Sequence, residues 1–259
     1  MGERSGYTPG TFCWSELATS DQEGAKAFYS QLLGWDSDDR PAGDGAFYSM
    51  QLRDGKHVAA IAPQPQQQRE AGVPALWNSY VWVERADDVA ARAAELGATV
   101  HAPAFDVMQA GRMAVIQDPQ GAYFMLWQAR DHRGAQLVNA PGALVWNELQ
   151  SPEPDASGEF YSALFGWEVE QFPGMEQVYL AIKNAGANNG AISAPRMPDA
   201  PPGWLVYFGT EDTEVALVKV TELGGSVLAG PIDLGIAKIG IVADPQGAVF
   251  ALYAGELEQ

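Results

Sequence analysis

The sequence predicts an α+β fold made of four β-α-β-β-β units in two tandem modules. The first observation is a duplication, because Phe12-Cys13-Trp14-Ser15-Glu16-Leu17 returns 132 residues later as Leu144-Val145-Trp146-Asn147-Glu148-Leu149. The second is a shared ending, Asp-Pro-Gln-Gly-Ala, at 118–122 and again at 244–248. The third is a pattern of one helix-like and three strand-like stretches that recurs along the chain. We therefore expect a first module at 1–130, a linker at 131–142 and a second module at 143–259.

The first unit begins with a strand-like run at 11–17. A helix is predicted next, because Ser20-Asp21-Gln22-Glu23 has capping-box spacing and Gly34 suits a helix C-terminus. Apolar side chains recur between these signals at helical spacing: Ala25, Phe28, Tyr29, Leu32 and Leu33. Short strands are expected near 35–38, 45–52 and 57–62. The Pro- and Gln-rich residues 63–68 are expected to form a solvated loop.

The second unit repeats this order from Trp77. A strand at 77–83 precedes a helix, whose apolar stripe ends at Gly97, and strands follow near 98–101, 111–117 and 122–128. Asp118-Pro119-Gln120-Gly121 is typical of a type I turn and would close the last hairpin. Because of the duplication, the second module is expected to repeat these elements, with units beginning near 144 and 204.

Composition limits the classes of partner. A net charge of -18 argues against nucleic acid and anionic membranes as partners, since phosphate binding depends on clustered Lys and Arg. No apolar run approaches the length needed to span a bilayer, and residues 1–10 do not resemble a signal peptide. Cys13 is the single cysteine, so no disulfide forms within the chain. We expect a cytoplasmic protein, monomeric or homodimeric, whose partner is a small molecule.

The paired units also resemble a known family. The repeated Phe-Tyr-x-x-x-Leu/Phe-Gly-Trp at a helix end and the terminal Asp-Pro-x-Gly hairpin are similar to the vicinal oxygen chelate superfamily of glyoxalases, bleomycin resistance proteins and extradiol dioxygenases. The doubled Trp-x-Glu-Leu resembles a two-module actinobacterial subgroup often labelled hydroxylases. The resemblance covers nearly the whole chain, and implies that each module is a cup-shaped mixed sheet with helices outside.

Metal enzymes of that superfamily place His or Glu at equivalent strand positions facing the cup. The resemblance places these positions at Trp14, Asn78 and Met125 in the first module, and at Trp146, Leu205 and Ala251 in the second. None of these side chains is an imidazole or carboxylate, the ligands that divalent metals use in such folds. All three histidines precede residue 143. We therefore expect neither a metal nor another cofactor.

The alternation of side chains along a strand predicts what faces each cup. If Trp14 and Trp146 point inward, Glu16 and Glu148 do so too. Pairing Asp118 with Gly121 across the last hairpin would place a cation and a second aromatic ring on the same face. These are Arg112 and Trp127 in the first module and Lys238 and Tyr253 in the second.

Two interpretations of this set remain open. The carboxylate and the cation could form an ion pair inside an aromatic core, because unpaired buried charge is very costly. Alternatively, the aromatic walls could bind a flat, partly polar ligand. The candidate catalytic residues are Glu16 and Glu148; the candidate ligand-binding residues are Trp14, Asn78, Arg112, Met125, Trp127, Trp146, Lys238 and Tyr253.

Three functions follow from these interpretations. The leading hypothesis is a protein that binds a small aromatic or planar molecule in one or both cups, without a metal. The first alternative is an enzyme of the same superfamily: a lyase, or an oxygenase or hydroxylase. Such an enzyme could be metal-free, with Glu16 or Glu148 as the base, or metal-dependent with atypical ligands. The second is a partner-binding scaffold whose cups are filled by side chains.

Overall fold

A computed structural model of the chain describes residues 2–43, 45–172, 178–196 and 200–257. The first half contains the helices α1 (Gln22–Leu33), α2 (Gln66–Glu70) and α3 (Ala86–Glu95). Its strands are β1 (Gly2–Glu3), β2 (Phe12–Thr19), β3 (Asp36–Gly43), β4 (Ala46–Arg53), β5 (Lys56–Pro63), β6 (Leu76–Trp82), β7 (Thr99–Val107), β8 (Gly111–Gln117) and β9 (Tyr123–Ala129).

The second half repeats this order with the helices α4 (Pro154–Phe165) and α5 (Thr213–Glu222). Its strands are β10 (Leu137–Val138), β11 (Leu144–Gln150), β12 (Glu168–Gln171), β13 (Tyr179–Asn184), β14 (Ala187–Ser193), β15 (Gly203–Gly209), β16 (Ser226–Asp233), β17 (Ala237–Ala243) and β18 (Val249–Gly255). Within the described ranges, no helix is long and apolar enough to cross a membrane.

The strands form two mixed sheets. Sheet 1 has the order β3-β4-β5-β2-β6-β9-β8-β7, and sheet 2 has the matching order β12-β13-β14-β11-β15-β18-β17-β16. In each sheet the first strands of two successive units, β2 with β6 and β11 with β15, are antiparallel neighbours at the centre. The short strands β1 and β10 extend sheet 2 beside β11. The predicted α+β fold with two tandem modules is confirmed.

Local signals explain where α1 begins and ends. The side chain of Asp21 accepts a hydrogen bond from the Gly24 amide at 2.9 Å, so Asp21 caps the first turn. Gly34 ends the helix in the left-handed conformation with φ of 71°, which glycine adopts without strain.

The loop expected at 63–68 is wrong in part, because α2 begins there. Glutamine has a favourable helix propensity, and this exposed five-residue helix needs no apolar stripe.

The inner faces of the two sheets pack against each other through the repeated aromatic motif. The Tyr29 hydroxyl donates to Asp244 Oδ2 at 3.0 Å and accepts from Trp77 Nε1 at 3.0 Å. The duplicated contact has Tyr161 donating to Asp118 Oδ2 at 2.9 Å and accepting from Trp204. Each module therefore supplies a tyrosine to a carboxylate of the other.

This packing also fixes which faces are free. Between the sheets, Ser79 Oγ donates to Asn147 Oδ1 at 2.8 Å, and the Trp77 and Phe208 rings lie 4.9 Å apart. We call the face of sheet 1 that points away from sheet 2 cup 1, and the corresponding face of sheet 2 cup 2. Any ligand site on the sheets must lie on these outer faces.

Candidate ligand sites in the two cups

The strand register places most of the predicted residues of the first module on one face. Trp14 pairs with Tyr80, which pairs in turn with Met125, and Glu16 pairs with Asn78. Side chains in register point to the same side of a sheet, and Trp127 lies two residues beyond Met125. Cup 1 therefore brings together five of the predicted residues: Trp14, Glu16, Asn78, Met125 and Trp127.

The predicted cations are not in the cups. Arg112 pairs with Gln128 rather than Trp127, and its guanidinium contacts Asp87 and Asp106 on the opposite side of the sheet. Lys238 likewise pairs with Ala254, and its ammonium lies 2.7 Å from Glu214 of α5. These two predictions are wrong.

Arg112 and Lys238 lie on the opposite face because each terminal turn contains one residue more than the sequence predicted. Gly121 donates to the Asp118 carbonyl, as a type I turn requires, but the Asp118 amide bonds to Ala122. Gly121 has φ of 103° and forms a bulge after the turn, so the closing pair is 118 with 122. A shift of one residue moves every side chain to the other face.

Glu16 is the polar centre of cup 1. Burial raises the pKa of its carboxyl above the usual range, although hydrogen bonds from Tyr48, Tyr80 and Asn78 oppose that shift. Burial and the neighbouring Glu16 charge raise the pKa of both tyrosines well above 10, so each hydroxyl keeps its proton. No salt bridge to Glu16 occurs among the described residues. A carboxyl with a raised pKa is a stronger proton acceptor than an ordinary glutamate.

Aromatic rings form the other wall of cup 1. Trp14 and Trp127 are 2% and 5% exposed, and Trp14 Nε1 donates to the Tyr48 hydroxyl at 3.0 Å. His132, which follows β9, packs its imidazole against both indoles, with ring centroids 4.4 Å from Trp14 and 5.6 Å from Trp127. Trp127 Nε1 donates to the His132 carbonyl at 3.0 Å. A residue outside every strand thus covers the aromatic wall.

The His132 imidazole is expected to titrate near pH 4. Burial lowers its pKa to about 4, and the nearby positive charges of His57 and Arg40 act in the same direction. Because the unfolded chain binds this proton more tightly, the stability contributed by neutral His132 is present above about pH 6.5 and is lost as the pH falls towards 4. Titration of its ring protons by NMR measures the midpoint; a value near 6.5 would show that the imidazole is solvated.

The glutamate of cup 2, Glu148, has a cationic partner. Glu148 is 1% exposed, and its Oε1 and Oε2 accept hydrogen bonds from the Arg196 guanidinium at 3.1 Å each. Ser193 Oγ and the Tyr207 hydroxyl donate to the same carboxylate at 2.8 Å. Every oxygen of Glu148 is therefore engaged within the protein, in the ion pair that one interpretation of the sequence expected. The cation is Arg196 rather than Lys238.

The remaining predicted residues of the second module line cup 2. Trp146 pairs with Tyr207, which pairs with Ala251, and Tyr253 lies two residues further along β18. The Tyr253 hydroxyl donates to the Glu256 carbonyl at 2.9 Å. Ile239 and Ile241 complete a separate apolar cluster on this face. Cup 2 is thus a packed layer around a satisfied ion pair.

Sequence reasoning missed several residues of both cups. Tyr48 and Tyr80 of cup 1 match Tyr179 and Tyr207 of cup 2. The first two hydrogen-bond to Glu16, and the other two to Glu148. The duplication itself could have identified these tyrosines, because they recur with the landmarks around them. His132 and Arg196 carried no such signal, since each lies outside the strands and has no repeated counterpart.

The residues of the cups do not fit a metal. Nowhere in the described ranges do three or more His, Cys, Asp or Glu side chains form a group that could hold a metal ion. The positions implied by the family resemblance present an indole, an amide and a thioether in cup 1, and these are poor ligands for divalent cations. In cup 2 the one carboxylate is already bound by Arg196.

Comparison with known proteins agrees with this architecture. Residues 12–126 match the Glyoxalase/Bleomycin resistance protein/Dioxygenase superfamily, and residues 146–253 match a glyoxalase-like domain. CFP32 of Mycobacterium tuberculosis (strain CDC 1551 / Oshkosh), named as a candidate glyoxylase, is 42% identical over 255 residues, covering 97% of each chain. DnrV of Streptomyces peucetius, named an anthracycline biosynthesis protein, is 30% identical over 263 residues, covering 95% of this chain and 94% of that protein.

Solved structures show the same fold at low identity. The Mn(II)-bound glyoxalase from Novosphingobium aromaticivorans has a TM-score of 0.67 at 17% identity, over 96% of this chain and 83% of that chain. The 2,3-dioxygenase LapB from Pseudomonas sp. KL28 has a TM-score of 0.66 at 16% identity, over 98% and 95%. With both halves matched and a relative at 42% identity, the chain belongs to the glyoxalase/bleomycin resistance protein/dioxygenase superfamily.

Proposed function

We propose that this protein binds a small, planar aromatic molecule in cup 1 without a metal ion. The observation that carries the proposal is the arrangement of cup 1, where an indole wall faces a glutamate that has no cationic partner among the described residues. Apolar and aromatic linings with a few oriented polar groups are typical of small-molecule sites. A flat ligand would stack on Trp14 or Trp127 and hydrogen-bond to Glu16, Tyr48 or Tyr80.

The contrast with cup 2 supports assigning the ligand to cup 1. The same Trp, Glu and two Tyr occur there, but the Arg196 guanidinium and Ser193 Oγ also bind the carboxylate. A ligand would have to break that ion pair to use Glu148, and removing a partner from a buried charge is strongly unfavourable. Cup 2 is therefore assigned a structural role.

The name of one relative supports the chemical class of ligand. DnrV is named for the biosynthesis of anthracyclines, which are planar and polyaromatic, and it aligns over 95% of this chain. The proposed ligand of cup 1 shares with anthracyclines only a flat aromatic ring system with hydroxyl or carbonyl groups. Such a molecule offers both the stacking surface and the hydrogen-bonding edge that cup 1 presents.

A second candidate function is catalysis without a metal, with Glu16 as the base. The observation that favours it is the raised pKa of the Glu16 carboxyl, which burial causes. Glu16 would accept a proton from the substrate, and the Tyr48 and Tyr80 hydroxyls would donate hydrogen bonds to the resulting anion. Turnover that survives chelation and is lost in Glu16→Gln, but not in the matched Glu148→Gln, would favour this function over binding alone.

A thermal-shift screen tests the proposal. Metal-depleted protein is heated with planar phenols, quinones and nitrogen heteroaromatics of one to four rings, and a ligand that binds only the folded state must raise the melting temperature. We expect at least one compound to stabilise the protein, and elemental analysis of the protein before metal depletion to find no stoichiometric metal. If no compound stabilises it, the nearly complete burial of Trp14 and Trp127 reflects a filled cup, and a scaffold function takes precedence.

A further inference from the structure

We propose that the place occupied by His132, against Trp14 and Trp127, is a binding site for one flat heteroaromatic ring, which the chain fills with its own imidazole. A ligand would enter by displacing this side chain. The inference rests on the proposed function in placing a ligand in cup 1, and it adds the ring class and the residue that competes with it. We call this place the imidazole seat.

The His132 ring lies in a niche formed by two indoles. The His132 ring makes edge contacts with both indoles, at interplanar angles of 78° to Trp14 and 67° to Trp127. Edge-to-face pairs at such centroid distances are favourable beyond the area they bury. Because both indoles are almost fully buried, removal of the imidazole would leave a small space bounded by aromatic rings.

The imidazole is held by its backbone rather than by its polar edge. The His132 amide donates to the Ala110 carbonyl at 3.0 Å, and its own carbonyl accepts from Trp127 at 3.0 Å. In contrast, Nε2 is buried and has no hydrogen-bond partner. An unsatisfied buried nitrogen costs free energy, which favours movement of the side chain out of the cup. The two backbone hydrogen bonds would keep the segment attached. An entering ring that supplies better hydrogen bonds to the cup is favoured over it.

The seat belongs to cup 1 alone. In cup 2, Tyr253 takes the place of Trp127, and its hydroxyl donates to the Glu256 carbonyl. All three histidines precede residue 143, so the second module has none to place there. The two cups therefore differ both in the partner of the glutamate and in the covering of the aromatic wall.

The variant His132→Ala tests the seat directly. We expect 4-methylimidazole, the missing side chain as a free molecule, to bind this variant saturably at pH 8 and to raise its melting temperature by about 3 °C at tenfold above its Kd. Wild-type protein and His101→Ala, which removes an exposed histidine that packs against Tyr123 rather than against either indole, should show no such rise. Tetrahydrofuran, a ring of equal size that is not aromatic, should bind several-fold more weakly.

Two outcomes separate this inference from the proposed function. If His132→Ala does not bind 4-methylimidazole, the imidazole seat is not a binding site, whether or not a planar phenol binds elsewhere in cup 1. If 4-methylimidazole binds but no planar probe from the screen raises the melting temperature of either protein, the seat stands and the proposed function fails. Tighter binding of a planar probe by His132→Ala than by wild type supports both.

A measurement on the wild-type chain covers the case in which His132→Ala does not fold. Ring currents of the two indoles shift the NMR signals of the His132 ring protons. A saturating planar probe is expected to move those signals towards the positions of an exposed imidazole. Signals that stay in place while the probe binds would overturn displacement of the side chain.

Discussion

Replacing Arg196 by methionine is expected to lower the free energy of unfolding by about 3 kcal/mol, because a buried carboxylate then loses its cation. Glu148 is 1% exposed, and Arg196 donates to both of its oxygens. Ser193 and Tyr207 would remain as donors, but neither carries the compensating charge. Urea denaturation at pH 7 measures the change, which should be accompanied by little change in the slope of the transition.

Two further variants check that the loss comes from the buried charge. Arg112→Met removes a cation whose partners, Asp87 and Asp106, are both at least half exposed, so its cost should stay below about 1 kcal/mol. Combining Arg196→Met with Glu148→Gln should recover most of the loss, since no charge is then left unpaired. If Arg196→Met costs no more than Arg112→Met, the structural role assigned to cup 2 is wrong.

The second large effect is expected at the joint between the modules. Asp118→Ala should lower the free energy of unfolding by about 3 kcal/mol or more, because two buried donors and one partly buried donor lose their acceptor. Asp118 accepts from the amides of Gln120 and Ala122 at 3.0 and 2.8 Å, and from the Tyr161 hydroxyl at 2.9 Å. Guanidinium chloride denaturation, followed by tryptophan fluorescence, reports the change.

The duplicated joint provides the matched comparison. Asp244 accepts from the amides of Gln246 and Ala248 and from Tyr29, so Asp244→Ala should cost a similar amount. Tyr161→Phe removes only the hydroxyl and should cost less, about 1–2 kcal/mol. Equal losses in Asp118→Ala and Tyr161→Phe would mean that the turn amides contribute nothing, which contradicts the proposed network.

The fold could be predicted from the sequence because its signals are local and repeated. The helix-ending glycines, Gly34 and Gly166, and the Asp-Pro-Gln-Gly-Ala turns at 118–122 and 244–248 are signals of this kind. Trp35 and Trp167, which end the repeated Phe-Tyr-x-x-x-Leu/Phe-Gly-Trp motif, are almost fully buried, and their indole nitrogens donate to backbone carbonyls. Agreement among local signals is typical of sequences that specify one fold.

The sites were harder to predict because they depend on register and on irregular segments. A single bulge glycine in each terminal hairpin moved Arg112 and Lys238 to the opposite face. Arg196 and His132 reach the cups from segments that follow a strand, where side-chain direction has no fixed period. The sequence shows that these residues exist, but only tertiary contacts bring Arg196 to Glu148 and His132 to Trp14.

The most direct test of the account is a calorimetric titration of metal-depleted protein with the strongest planar compound from the thermal-shift screen. The wild-type chain is compared with Trp14→Leu and with Trp146→Leu, which make the same change in cup 1 and in cup 2. We expect one site per chain, binding at least about tenfold weaker in Trp14→Leu, and unchanged affinity in Trp146→Leu. Binding that requires an added metal, or that is lost in Trp146→Leu and kept in Trp14→Leu, would contradict a metal-independent aromatic site in cup 1.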